Sequence, residues 1–179
     1  MGNSPISRAT MSPYKVTMLE IIDRFATSPT RIAILEGLIA YRAALAASGI
    51  SGGFQWLDGS FVEDVESSRK RPPKDIDIVS FAHLPTFQTP ADRQQWMTQF
   101  VDLFNPVQTS LTFKCDAYFI DLGKRPDLLV DDTRYWFGLF SHQRDTSLWK
   151  GMLQIAITPD DEDAKLKIDE RKQQGGANA

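Results

Sequence analysis

Apolar residues recur along the chain at two different spacings, which predict where its helices and strands lie. Three segments carry apolar residues at the spacing of an amphipathic helix. They cover residues 16–25, residues 30–48, and a segment from Thr89 to Phe104. Ser28 and Pro29 are a typical N-cap and first helical position for the second helix, and Gly49 is a typical stop after it.

Shorter apolar or alternating runs predict strands at residues 54–57, 75–81, 113–122 and 152–157. The predicted order is therefore helix, helix, strand, strand, helix, strand, strand. Such an order is typical of helices packed against one sheet. We expect an α/β (α+β) fold with a mixed β-sheet and with helices packed mainly on one side.

Length and composition set the predicted domain boundaries. The chain has 179 residues, of which 42% are hydrophobic and 24% are charged, and these are the values of one globular domain. Its strongly polar stretches lie at the two ends. We predict a flexible leader at residues 1–14, the folded domain at residues 15–158, and a charged, disordered tail at residues 159–179.

Charge and cysteine content exclude several classes of function. A net charge of −3 argues against a broad basic face for duplex DNA. The single cysteine, Cys115, excludes an intramolecular disulfide and a zinc site built on paired cysteines. No apolar run approaches the roughly 20 residues of a membrane span, and the first residues lack a signal-peptide pattern. We expect a cytoplasmic protein without a membrane partner.

Two aspartates on one predicted strand are the clearest candidates for chemistry. Asp75 and Asp77 alternate with Ile76 and Ile78, so both carboxylates point to the same face of the sheet. Two such anions, about 7 Å apart along the strand, repel each other unless a cation lies between them. Magnesium prefers carboxylate and phosphate oxygens. An isolated pair of this kind is more often a solvated sheet face, so the interpretation depends on what accompanies it.

A Gly-Ser turn and a third acid accompany the pair. Gly59 and Ser60 follow a predicted strand, where glycine lets backbone amides approach a phosphate and a helix after the turn would favour the same anion. Asp116 lies on the next strand after Asp75 and Asp77. This combination resembles the DNA polymerase beta-type nucleotidyltransferase superfamily. The phrase at residues 56–61, Trp-Leu-Asp-Gly-Ser-Phe, also looks like a group of small bacterial proteins placed in that superfamily.

The resemblance implies a role for each of these residues. Asp75 and Asp77 would bind two Mg²⁺ ions, or Mn²⁺ in their place, and Asp116 would complete the metal site and act in catalysis with them. Gly59 and Ser60 would hold the outer phosphates of a nucleoside triphosphate. Two features depart from the family pattern. The spacer before the acids is longer than usual, and an extra anion, Asp58, lies beside the turn.

Basic and aromatic residues add further candidates. A cluster before the acids would neutralise a triphosphate or contact an RNA acceptor, with a solvated loop as the alternative: Arg69, Lys70, Arg71 and Lys74. If their region folds back to the site, Arg144 and Lys150 would serve the leaving pyrophosphate. We take Lys74 and Lys150 as candidate phosphate ligands. Three aromatic residues are expected in the core and not in a nucleobase platform: Trp136, Phe137 and Phe140.

The predicted function is Mg²⁺-dependent transfer of a nucleoside monophosphate from a nucleoside triphosphate to a hydroxyl group on a protein, an RNA or a small molecule. Small members of the superfamily in toxin-antitoxin and anti-phage modules act on a partner protein. By analogy with them, this chain would also act on a partner protein. The alternative is the same fold kept as a nucleotide-binding or protein-interaction module with little turnover. Only about sixty residues follow Asp116, too few for the helical domain that many members carry.

Two other enzyme classes also use an Asp-x-Asp pair. Haloacid dehalogenase-type phosphatases place it at the end of an apolar strand, whereas here the apolar run follows the pair. Sugar-nucleotide glycosyltransferases need a larger donor-binding sheet than this length supplies. Both therefore fit less well than a nucleotidyltransferase.

Overall fold

Helices and strands alternate along most of the chain in the computed structural model, which describes residues 11–157 and 161–176. The helices are α1 (Met18–Phe25), α2 (Pro29–Ala47), α3 (Val65–Arg69), α4 (Pro90–Phe100), α5 (Pro106–Phe113), α6 (Pro126–Phe140) and α7 (Asp161–Gly176). The strands are β1 (Tyr14–Lys15), β2 (Phe54–Asp58), β3 (Ile76–Ala82), β4 (Cys115–Asp121) and β5 (Leu153–Ala156). Two 3₁₀ turns lie at Gly59–Val62 and Val101–Phe104.

Local capping explains where the first two helices begin. Thr17 and Glu20 form a capping box at the start of α1, in which each side chain accepts a hydrogen bond from the backbone N–H of the other residue. The Ser28 hydroxyl accepts from the Arg31 N–H, and Pro29 takes the first position of α2. The predicted start of α2 is therefore confirmed.

One mixed sheet carries the fold, with the strand order β1-β5-β2-β3-β4. Strand β2 runs antiparallel to both β3 and β5, while β4 is parallel to β3 and β1 is parallel to β5. The four predicted strands correspond to β2, β3, β4 and β5, and the predicted α/β class is confirmed. The remaining strand, β1, has only two residues and gave no periodic signal.

The sheet separates two hydrophobic clusters. Leu57, Ile78 and Ala117 face the cluster that contains the buried residues of α1, α2 and α7. Trp56 and Val79 face the opposite cluster, which contains the buried residues of α6. Helices therefore lie mainly on one side of the sheet, and α6 covers part of the other side. Among the described helices, none combines the length and apolar content needed to cross a membrane.

The chain ends differ from the predicted leader and tail. The disordered tail predicted at residues 159–179 is wrong for residues 161–176, which form α7 and bury Ala164 and Ile168 against α1 and α2. Charged residues along α7 pair with α1 and α2, so its high charge does not prevent packing. Residues 1–10 of the predicted leader lie outside the described residues. Tyr14, which the prediction assigned to the leader, already pairs with Leu153 of β5.

Candidate active site

The sheet register places three aspartates side by side. Asp58 at the end of β2 lies opposite Asp77 of β3, and Asp77 lies opposite Asp116 of β4. Residues directly paired across neighbouring strands project their side chains from the same face. All three carboxylates therefore emerge on the face that α6 partly covers.

Asp75 lies one residue before β3 and joins this group. Its Oδ2 accepts a hydrogen bond from the Ser110 hydroxyl of α5 at 3.4 Å. Its negative charge raises the pKa of both Asp77 and Asp116, which shows that the three acids act on one another. The structure thus brings together Asp75, Asp77 and Asp116, the three acids singled out in the sequence.

Burial and the repulsion of neighbouring carboxylates disfavour the charged forms of Asp77 and Asp116. The pKa of Asp77 is raised to about 6, first by burial and then by the charges of Asp116 and Asp75. The pKa of Asp116 is also raised, by burial and by Asp75, and the cations of Arg144 and Lys74 partly offset that rise. A cation bound between the carboxylates would relieve the repulsion, which is the electrostatic condition for a metal site.

Gly59 packs directly against one of these acids. It has a φ of 80°, and a Cβ added there would lie 2.6 Å from Asp77 Oδ2. Only glycine allows both this backbone conformation and this close approach. The helix expected after Ser60 is not formed, because the chain makes only the 3₁₀ turn Gly59–Val62 before α3. A helix N-terminus therefore does not contribute to a phosphate site at this turn.

Asp58 is buried and paired with Lys150. Only 3% of Asp58 is exposed, and its Oδ2 lies 2.9 Å from Lys150 Nζ. Burial raises the pKa of Asp58 to about 7, although Lys150 lowers it. Among the described residues, Asp58 Oδ1 has no hydrogen-bond partner. The extra anion noted in the sequence is therefore balanced by a candidate phosphate ligand.

Two further cations lie near the acids on exposed segments. Lys74 comes directly before Asp75, and Arg144 belongs to the loop between α6 and β5. Both lower the pKa of Asp116, and Arg144 also lowers that of Asp77, so their positive charges reach the site. By contrast, Arg69 from the basic cluster is paired with Glu63 at 3.3 Å.

Sequence analysis missed Arg31, which holds the turn and the spacer in place. Arg31 is 4% exposed and donates to the carbonyl oxygens of Phe61 and Glu63, each at 2.7 Å. It also binds both carboxylate oxygens of Glu66 in α3, at 2.7 and 2.8 Å. The available signal was an arginine in the first turn of a helix whose residues are mostly apolar. The long spacer is therefore anchored to the helical layer.

Sequence analysis also missed Tyr118, which lies two residues beyond Asp116 on the same face of β4. Burial and then the charge of Asp116 raise the pKa of the Tyr118 hydroxyl. Its ring lies 4.6 Å from that of Trp136, centroid to centroid. Trp136 and Phe140 are buried and Phe137 is partly buried, as expected for core residues. Tyr118 is therefore a partly exposed aromatic side chain next to the acids on this face.

The donor set fits a hard cation, but the side chains are not arranged as a finished metal site. Carboxylate oxygens on one sheet face, with the pKa values of Asp77 and Asp116 raised by their acidic neighbours, suit Mg²⁺ or Mn²⁺. Within residues 11–157 and 161–176, no three His, Cys, Asp or Glu side chains already form a group that could hold a metal ion.

A family model described as a family of unknown function, DUF6932, matches residues 2–156. No curated protein and no solved structure matches the chain.

Proposed function

The chain belongs to the DUF6932 family, and from its own residues we propose that it is a Mg²⁺-dependent nucleotidyltransferase. It would transfer a nucleoside monophosphate from a nucleoside triphosphate to a hydroxyl group on a protein, an RNA or a small molecule. The observation that carries the proposal is the row of carboxylates set by the sheet register. Asp77 pairs with Asp116, Asp75 lies beside them, and Asp77 packs on the glycine of a Gly-Ser turn.

The acids and the turn supply the two halves of such a site. Asp75, Asp77 and Asp116 would hold Mg²⁺, which when bound neutralises the phosphates and polarises the bond that breaks. Gly59 and Ser60 would contact the outer phosphates through the backbone and the hydroxyl of the turn. Lys74 and Arg144, whose charges already reach the acids, would balance the remaining negative charge.

The reaction is a single displacement at phosphorus. The acceptor oxygen forms a bond to the α-phosphorus while the bond from that atom to the α–β bridging oxygen breaks. The nucleoside monophosphate is thereby joined to the acceptor, and pyrophosphate leaves. The hydroxyl proton passes to Asp116, which lies opposite Asp77 in the paired strands, and then to solvent.

Calorimetric titration of the four nucleoside triphosphates, with and without Mg²⁺, tests the proposal. We expect Mg²⁺-dependent binding to the wild type and a loss of at least about thirtyfold in affinity for Asp77→Asn. Asp121→Asn is the matched control, because Asp121 lies on the same strand as Asp116 but on the opposite face. It should bind like the wild type.

Each outcome separates the candidate functions. Binding followed by release of pyrophosphate and labelling of an acceptor from an α-³²P triphosphate would support the transferase. Binding without transfer would favour the nucleotide-binding module as the better description. Equal affinity of the wild type and Asp77→Asn would contradict the assignment of the acids.

A further inference from the structure

Lys150 lies among oxygen atoms that belong to the protein itself. Its Nζ is 2.9 Å from Asp58 Oδ2, 3.2 Å from Glu63 Oε1 and 3.5 Å from the carbonyl oxygen of Gly59. An ammonium group has three N–H donors, and these three oxygens can accept all of them. Lys150 therefore has a complete set of partners without a phosphate.

The three acceptors come from both sides of the Gly-Ser turn. Asp58 precedes Gly59 directly, and Glu63 follows the 3₁₀ turn Gly59–Val62. Lys150 lies 91 residues after Gly59, just before β5, in the loop that also carries Arg144. Its ammonium group therefore connects this loop to both ends of the turn. Glu63 also accepts from Arg69 at 3.3 Å and from Gln143 at 3.1 Å.

Asp58 has a specific need for this cation. It is the most buried of the four acids at the site, and Lys150 is the ion-pair partner found for it within the described part of the chain. A buried carboxylate that loses its partner is strongly unfavourable, whereas removing both charges together is tolerated far better. Asp58 and Lys150 are therefore expected to depend on each other.

We propose that Lys150 is the fixed counter-ion of Asp58 and a positioning residue for the Gly59–Ser60 turn, and that it is not a phosphate ligand. Asp58 then anchors the turn through Lys150, and Gly59 provides the surface on which Asp77 packs. This inference concerns the fold of the turn and does not depend on nucleotide transfer.

A double-mutant cycle on this pair tests the proposal. The variants are Asp58→Asn, Lys150→Met and the double variant, and Lys165→Met of an exposed α7 lysine is the control. Each is measured well above the pKa of about 7 at Asp58, where this carboxylate is ionised, for its thermal midpoint without nucleotide and for its dissociation constant with each of the four nucleoside triphosphates and Mg²⁺. Lys150→Met should lower the midpoint by about 5–10 °C, and Lys165→Met should not change it.

The double variant decides between a counter-ion and a phosphate ligand. If Lys150 serves Asp58, the double variant recovers the thermal midpoint of Asp58→Asn to within about 2 °C and its nucleotide affinity to within about threefold. Lys150→Arg should retain most of the wild-type values, since it keeps the charge.

Two results would overturn the inference. Recovery of the midpoint with an affinity that stays about tenfold below that of Asp58→Asn would make Lys150 a phosphate ligand. No recovery of the midpoint would show that Asp58 is not the group that Lys150 serves. If the wild type binds none of the triphosphates, the proposed function fails while the midpoints still decide the counter-ion proposal.

Discussion

Gly59 and Asp77 constrain each other at the level of single atoms. The positive φ of Gly59 and the 2.6 Å separation between its added Cβ and Asp77 Oδ2 are two independent reasons for glycine at this position. Asp77 in turn cannot move away freely, because its backbone is paired with Asp58 on one side and Asp116 on the other. A substitution at either residue is therefore expected to displace the other.

Gly59→Ala should lower the free energy of unfolding by about 1–3 kcal/mol, from the strained φ and from the displaced carboxylate. Gly52→Ala is the control, since a Cβ there meets nothing within 4 Å. Urea unfolding of both variants measures the difference. Equal stability of the two alanine variants would contradict the close packing of Gly59 on Asp77.

Asp77 also makes stability depend on pH in the absence of metal. Its pKa rises from an unfolded value near 3.8 to about 6 in the fold, so its ionisation costs stability as pH rises from about 4 to about 6. Asp77→Asn cannot ionise and avoids this cost. With EDTA at pH 8, we expect the variant to be more stable than the wild type by about 1–3 kcal/mol.

The difference between Asp77→Asn and the wild type should shrink as pH falls towards 4, where the wild-type carboxyl becomes protonated. Urea unfolding at several pH values measures it, and Asp121→Asn, on the opposite face of β4, controls for loss of an acid. A variant less stable than the wild type at pH 8 would contradict the raised pKa.

At the scale of elements, the sequence predicts what depends on local pattern. Strand β3 was predictable because acidic and apolar residues alternate over residues 75–78 at its start, and α2 because a cap and an apolar stripe coincide. The same alternation predicted that Asp75 and Asp77 share a face. These features need only neighbouring residues, so a single sequence is sufficient to find them.

Other elements depend on contacts that the sequence does not encode locally. The pairing of Asp58 with Lys150 joins β2 to a residue far along the chain, and the Arg31 contacts join α2 to the spacer. The sequence marks Asp58 as an extra charge and Lys150 as a cation that could reach the site, but the pairing of the two depends on the strand order. Helix α5 is short, with only Thr109 fully buried among its residues, which leaves little periodic signal.

At the scale of the whole molecule, α7 is joined to the sheet by a buried arginine. Arg42 of α2 is 1% exposed and donates to both carboxylate oxygens of Asp161 at 2.9 Å. It also donates to Gln55 Oε1 at 2.8 Å and to the carbonyl oxygen of Ala156 at 2.9 Å. One side chain thus connects α2, β2, β5 and the start of α7.

This connection makes the stability of the whole domain depend on the first residue of α7. Asp161→Ala removes a charged hydrogen-bond acceptor from Arg42 and should lower the free energy of unfolding by about 1.5–3 kcal/mol. Asp163→Ala is the matched control, because Asp163 is an exposed acid in the same first turn and has the same favourable interaction with the helix N-terminus.

Asp161 pairs with the buried Arg42 and Asp163 is an exposed acid of the same turn, so the difference between their variants reports chiefly on the buried ion pair. Urea unfolding followed by fluorescence should show a single transition for each variant. The free energy of unfolding should fall for Asp161→Ala and change by less than about 0.5 kcal/mol for Asp163→Ala. A second, earlier transition in Asp161→Ala would mean that α7 detaches before the rest of the domain unfolds. Equal losses for the two variants would mean that α7 is held by its apolar residues, Ala164 and Ile168, and not by Arg42.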